Sequence, residues 1–319
     1  MEHRDDARVR LEVQGRDLDE GLEFFSDGYG GDGLTGRITD VDFAYRHTAT
    51  GDSRLTLRSN KFLGEMAGAV TPVGEHIVHW LTRGTASMDV GHEEHRLGVG
   101  SPVIVPKNQP FRFRYEDYEQ SLVHIDDSVV FEVAAEREGA LPGSLVFDHA
   151  SPLTEAAKAR WGAAVRRIAA TYLDPAAPPL LRLEAARFAA ASMLEAFPHT
   201  STIMQEALLA PRNASLREAV EYLHINAHLP ITPSDVARQV GVTPRGLQQA
   251  FSRHLDTTPT EYLRGIRLER VRDELRISSP EQVTVAEVAR RWAFSHLGRF
   301  SGSYVQRFGE YPRDTLLRG

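Results

Sequence analysis

Pro233-Ser-Asp-Val-Ala-Arg-Gln-Val-Gly-Val-Thr-Pro-Arg-Gly-Leu-Gln-Gln-Ala-Phe251 reads as a helix, a tight turn and a second helix. Val236, Ala237 and Val240 recur at helical spacing and form an inner face. Gly241 supplies the positive φ that the turn needs. Thr243 is an N-cap residue, and Pro244 suits the first helical position. Leu247, Phe251 and Leu255 recur every fourth residue and must face a core, which leaves Arg245, Gln248, Gln249 and Ser252 outside. Arginine pairs with guanine and glutamine with adenine in the major groove.

The pattern returns about fifty residues later in Val285-Ala-Glu-Val-Ala-Arg-Arg-Trp-Ala-Phe-Ser-His-Leu-Gly-Arg-Phe-Ser-Gly-Ser-Tyr304. Val285, Val288, Ala289 and Trp292 are the inner positions, Ser295 the expected cap, and Phe300, Tyr304 and Phe308 the buried stripe. Ala289 corresponds to Ala237, Ser295 to Thr243, Tyr304 to Phe251 and Pro312 to Pro259, with one residue more between cap and aromatic in the second copy. Pro259 to Arg276 predicts one connecting helix of about 25 Å. With the helices themselves added, two recognition elements would sit about 34 Å apart, one turn of B-DNA. Many helical hairpins share a single such pattern; two in register point to a chain that reads two neighbouring stretches of DNA. The expected DNA-facing residues are Thr243, Arg245, Gln248, Gln249 and Ser252 in the first copy and Ser295, His296, Arg299 and Ser303 in the second. Leu297, Gly298 and Gly302 make the second face less polar, so the first is expected to carry more of the sequence choice. Arg290, Arg291 and Arg307 read as solvated residues or phosphate contacts, which add affinity without sequence choice.

Residues 215–319 resemble the DNA-binding domain of AraC/XylS-type bacterial transcription regulators. The resemblance covers about a third of the chain. It runs through Ala237, Gly241, Val242, Thr243, Leu247, Phe251, Pro259, Tyr262 and Arg267-Leu-Glu-Arg270, then Val288-Ala289, Phe294-Ser295, Phe300, Tyr304, Arg307-Phe-Gly309 and Pro312. It implies a seven-helix domain with both recognition helices in successive major grooves. The sequence departs from the family at Asp256 and Ala293, where glycine is usual, and at Gly302, where arginine is frequent.

Composition separates this region from the rest. The chain has 319 residues, a net charge of −7 and no cysteine, so disulfides, thiolate catalysis and zinc fingers are excluded. Residues 211–319 hold 16 Arg against 12 acidic residues, a balance of +4, whereas residues 1–210 carry −11. An acidic half joined to an arginine-only basic half implies separate tasks. No apolar run reaches the roughly 18 residues that span a bilayer, and the polar Met1-Glu-His-Arg-Asp-Asp start lacks the core of a signal peptide. The expected compartment is the cytoplasm, with no membrane association.

Residues 1–150 read mainly as strands. Arg54-Leu-Thr-Leu-Arg58 and Phe111-Arg-Phe-Arg-Tyr115 alternate strictly, and Glu75 to Leu81 is an apolar strand. Short strands between frequent Gly and Pro predict a barrel or sandwich. Phe43-Ala-Tyr-Arg-His47, Leu97-Gly-Val-Gly-Ser-Pro-Val-Ile-Val-Pro106 and Pro110-Phe111 resemble the cupin-like sensor domain that precedes the DNA-binding domain in many such regulators. That resemblance implies a barrel that often binds a small effector, followed by helices that dimerise. Pro152–Tyr172 and Leu180–Phe197 have helical periodicity, and Pro198–Asn213 reads as a linker with one helical turn around Met204–Leu209. The expected organisation is a sensor barrel over 1–150, a dimerisation segment over 151–198, a linker over 199–214 and the DNA-binding domain over 215–319.

Other chemistry finds little support. His76 and His79 lie three apart on a strand and so face opposite ways, His92-Glu-Glu-His95 fits an exposed turn, and no His-X-His pair accompanies them or His124; no metal or cofactor is expected. Asp27-Gly-Tyr-Gly-Gly-Asp-Gly33 is glycine-rich but lacks the Lys-Ser/Thr of a phosphate loop and reads as a turn. Asp126-Asp127 reads as a solvated strand end, and no catalytic residues are assigned. Trp80, Phe111 and Phe113 are candidates to line an effector pocket, the alternative being plain core. The fold expected is multidomain α+β, an N-terminal cupin-like β-barrel with trailing helices and a C-terminal all-α domain with two helix-turn-helix motifs joined by a long helix. The function expected is a homodimeric, effector- or partner-modulated regulator of promoter DNA that contacts RNA polymerase. The alternatives are a regulator whose barrel is only a scaffold and a cupin-type enzyme fused to a DNA-binding domain.

Overall fold

The computed structural model describes residues 8–318 apart from 30, 73, 91–92, 108–110, 150, 205–207, 209, 277 and 281–282, so His92 lies outside the described residues. The chain forms two compact units, Met1–Ala134 with Val146–Thr200 and Ala135–Leu145 with Ser201–Gly319.

The first unit is built on an antiparallel sheet of β1 (Val9–Gly15), β2 (Asp32–Arg37), β3 (Ala44–Gly51), β4 (Leu55–Val70), β5 (Glu75–Val90), β6 (Glu93–Leu97), β7 (Val103–Ile104) and β8 (Phe111–Asp126). One edge of β4 pairs with β3 and then β2; its other edge pairs with β8, which in turn carries β5. Alternation decides the faces. Phe111 and Tyr115 are buried and Phe113 half-buried, while Arg112 and Arg114 are exposed. Register shifts between Phe62 and Glu65 and between Leu81 and Thr85 bend the long strands. Gly84 sits at one bend with φ +85°, and a Cβ there would lie 2.5 Å from the Asp117 carbonyl oxygen, so only glycine fits. The sheet curls around an aromatic interior that includes Phe43, Tyr45, Phe62, Tyr115 and Tyr118.

A helix absent from the sequence reading, α1 (Leu18–Tyr29), packs on this interior through Leu18, Leu22, Phe25 and Tyr29. Gly21 and Gly28 obscure its periodicity. The supposed glycine-rich turn is divided between the end of α1, which takes Asp27 to Tyr29, and the start of β2 at Asp32.

α2 (Asp127–Glu138) follows β8 directly, and β9 (Val146–Phe147), α3 (Glu155–Tyr172), α4 (Pro179–Ala196) and β10 (His199–Thr200) come next. Asp126 ends β8, whereas Asp127 opens α2. Asp126 accepts from the Ser128 amide at 2.9 Å, and Asp127 pairs with Lys107 at 2.8 Å. The α3–α4 hairpin belongs to the first unit and not to a separate segment, because a buried ion pair anchors it. Arg182 Nε donates to Asp52 Oδ2 at 3.1 Å, and the Tyr172 hydroxyl lies 3.4 Å from Asp52 Oδ1. Both charges are almost fully buried, and Asp52 also pairs with Arg54 at 3.4 Å. The expected linker is also partly paired. His199–Thr200 ladders with Val146–Phe147, the Leu141 amide donates to the Thr202 carbonyl, and the Met204 amide donates to the Gly139 carbonyl, both at 2.8 Å.

In the second unit a 3-10 turn (Pro211–Asn213) leads into α5 (Ala214–Ile225), α6 (Pro233–Gln239), α7 (Pro244–Leu255), α8 (Pro259–Arg276), α9 (Val285–Arg291), α10 (Leu297–Phe308) and α11 (Pro312–Arg318). These are seven helices among the described residues from 214 onward. They enclose two cores that share α8: Leu263 and Ile266 enter the first, and Leu268, Val271 and Leu275 the second.

Candidate nucleic-acid interface

Each helix-turn-helix copy starts at a reciprocal cap. In α6 the Asp235 amide donates to Thr232 Oγ1 at 3.3 Å, and the Thr232 amide donates to Asp235 Oδ2 at 2.9 Å. Thr284 and Glu287 repeat this at α9, at 3.3 and 2.7 Å. Such boxes satisfy amides that a helix start leaves unpaired. The turns also match: Val242 N donates to Ala237 O at 3.0 Å, and Phe294 N to Ala289 O at 2.9 Å. The left-handed residue is Gly241 at φ +69° in the first turn and Ala293 at φ +58° in the second.

The second recognition helix begins one residue later than its sequence indicates. Thr243 caps α7 through the Gly246 amide at 3.0 Å, as expected. At α10 the N-cap is His296, with no side-chain cap bond, and Ser295 stays in the turn. Serine is the better capping type, but the turn after Ala293 is one residue longer and carries Ser295 past the helix start. With His296 as the cap the copies fall into step. Thr243, Leu247, Phe251, Asp256 and Pro259 match His296, Phe300, Tyr304, Gly309 and Pro312. Asp256 and Gly309 both end their helices in the left-handed conformation, at φ 51° and 73°.

Thr243, Arg245, Gln248, Gln249 and Ser252 are all exposed on α7, above buried Leu247 and Phe251. Arg253, which the sequence reading passed over, is exposed four residues beyond Gln249 on the same stripe. On α10 the positions equivalent to Arg245, Gln248 and Gln249 are Gly298, Ser301 and Gly302. Ser295, His296 and Arg299 are exposed, Leu297 packs on the second core, and the Ser303 hydroxyl donates to the Arg299 carbonyl at 2.9 Å.

Several other arginines brace the domain. Arg267 holds the Ala227 carbonyl at 2.8 Å and the Leu229 carbonyl at 2.6 Å, and Arg270 holds the Gly143 carbonyl. Arg307 pairs with Glu269 at 2.7 Å, and Arg291 pairs with buried Glu274. Burial raises the Glu274 carboxyl above its ordinary range. Trp292 packs on both cores and donates to Glu274 at 2.6 Å. Arg291 and Arg307 are thus committed to carboxylates, while Arg290 stays exposed.

A match to the helix-turn-helix domain model covers residues 236–318, and a match to the AraC-binding-like domain model covers residues 1–195. The chain belongs to the AraC/XylS family. It is 45% identical over 101 residues to the probable thc operon regulatory protein of Rhodococcus erythropolis, covering 32% of this chain and 30% of that one. It is 36% identical over 104 residues to the XylDLEGF operon transcriptional activator of Pseudomonas putida, covering 33% and 32%. The matched region spans about a third of the length of these curated relatives. The solved AraC-like transcriptional activator CuxR aligns over 89% of this chain and 100% of its own, at 14% identity and a TM-score of 0.49. Within the AraC/XylS pattern, the departures at Asp256 and Ala293 are both accommodated as left-handed residues. At Gly302 a Cβ would meet nothing within 4 Å, so a longer side chain fits there.

The first unit of this AraC/XylS-type chain holds a cavity of about 80 Å³ inside the curled sheet. Phe111 and Phe113 line it, but Trp80 does not. Ile77 and His79 face the cavity from β5, so the strand's period of two turns Trp80 to the other side. The polar lining, Tyr29, Asn60, His79 and Gln120, was not identified from the sequence. Its residues lie on α1, β4, β5 and β8, and only strand pairing brings them together.

Proposed function

We propose that this chain is a sequence-specific transcription regulator that binds promoter DNA through α7 and α10. The observation that carries the reading is the pair of capped helix-turn-helix units in one register, braced on a single 18-residue helix, with Arg245, Gln248 and Gln249 exposed on the first recognition helix. An 18-residue helix is about 27 Å long, which suits recognition helices one turn of B-DNA apart. The first copy carries more of the base reading, and the second mainly anchors on phosphates with Arg299 as its candidate base contact. The barrel takes up a small effector, the α3–α4 hairpin pairs with that of a second copy, and the effector biases how the two DNA-binding domains sit on paired half-sites and meet RNA polymerase. The chain acts in the cytoplasm, by binding and not by catalysis. Activation is the favoured output, as in the XylDLEGF operon transcriptional activator of Pseudomonas putida.

Gel-shift titration on the promoter site found by mapping bound genomic DNA tests the reading. Gln248→Ala and Arg299→Ala should each weaken cognate binding by about 1–3 kcal/mol. Equal loss on random DNA would reassign that residue to a phosphate contact. Unchanged binding for both would remove them from the interface.

A further inference from the structure

The polar groups around the barrel cavity are not equally committed. Asn60 Oδ1 lies 2.6 Å from His47 Nδ1, and Asn60 Nδ2 donates to the Tyr29 hydroxyl at 3.1 Å. Gln120 Oε1 lies 3.1 Å from His79 Nδ1. An amide oxygen can only accept, so Nδ1 of His79 carries the proton and donates. His79 is 1% exposed, and its Nε2 has no hydrogen-bond partner among the described residues. Burial pushes its pKa down to about 4, so the ring is neutral at pH 7 and Nε2 presents a lone pair. His79 lines the cavity, and an unused acceptor buried at its wall is costly until a donor reaches it.

The remaining lining decides what else a ligand must be. Phe25, Phe111, Phe113, Tyr115 and Tyr118 give ring faces and edges, and among the described residues no Arg, Lys, Asp or Glu lines the cavity. A charged ligand would lose its hydration without gaining a counter-ion. The cavity's 80 Å³ is several times the roughly 10–15 Å³ that one water needs, which is room for a single ring with a small substituent.

We propose that the barrel cavity binds a small neutral ring compound bearing one hydroxyl or N–H group, which donates to His79 Nε2 while the ring packs among the cavity's aromatic side chains. His79 then determines specificity: it selects a donor, and the uncharged lining excludes carboxylates. This assignment rests on the reading of the barrel as an effector domain and narrows it to one ligand chemistry.

Calorimetric titration of the full chain with phenol, anisole and benzoate at pH 7 tests it. Phenol should bind at least tenfold more tightly than anisole, which keeps the ring and lacks the donor, and benzoate should bind more weakly still. In His79→Phe the preference for phenol over anisole should vanish while DNA binding persists. If that variant does not fold, nitrogen NMR of the unmodified chain gives the same answer, since phenol and not anisole should shift the His79 Nε2 resonance. Equal binding of phenol and anisole, benzoate as the tightest probe, binding by none of the three, or a phenol preference that survives in His79→Phe overturns the assignment. A screen that instead finds a larger or charged stabilising ligand would keep the effector reading and overturn only this one.

Discussion

Where the first recognition helix carries Arg245, Gln248 and Gln249, the second carries Gly298, Ser301 and Gly302 at the same distances from its N-cap. Beneath them the copies agree: Leu247 with Phe300, Phe251 with Tyr304, Val236 and Ala237 with Val288 and Ala289, all buried. This contrast separates the constraints set by the fold from those set by the partner. A buried position loses both transfer energy and packing when its volume changes. An exposed helix position loses little, so its side chains are free to follow whatever the surface meets.

Truncating the matched aromatics tests the shared scaffold and should give the largest effect. Phe251→Ala and Tyr304→Ala should each cost about 3–5 kcal/mol in chemical denaturation. A cost below about 1 kcal/mol for either would show that the two cores are not equivalent. Restoring a cation to the weaker face comes next. Gly302→Arg has room for its side chain and should tighten DNA binding by about 1 kcal/mol, with a salt dependence steeper by about one phosphate contact. No change in either would mean that this part of α10 lies off the DNA. The smallest effect separates the two non-glycine left-handed residues. Ala293→Gly should raise stability by about 1 kcal/mol, because alanine at φ +58° is strained. Asp256→Gly should gain less, since aspartate tolerates that conformation better. The reverse order would mean that helix termination, and not backbone strain, sets the cost.

Much of the DNA-binding unit was legible from local rules. The bounds of α8, the Thr243 cap, the Gly241 turn and the buried stripes follow from periodicity and capping chemistry, all within a few residues of chain. The start of α10 was not legible. Ser295 has the better capping side chain, but the extra residue after Ala293 moves the N-cap to His296. In the first unit the alternation of β8 was readable, whereas α1 was hidden by its glycines and Trp80 was assigned to the cavity although β5 turns it away.

Local sequence suffices to place two helix-turn-helix copies about fifty residues apart, because hydrophobic period, caps and turn residues act over distances of one or two helical turns. Tertiary structure alone decided that the copies come into step at His296, that Arg291 and Arg307 are spent on Glu274 and Glu269, and that His79 stands over a cavity with Asn60 and Gln120. Each of these depends on groups dozens of residues apart meeting through strand pairing or helix packing, and no local pattern encodes which partner a side chain will meet.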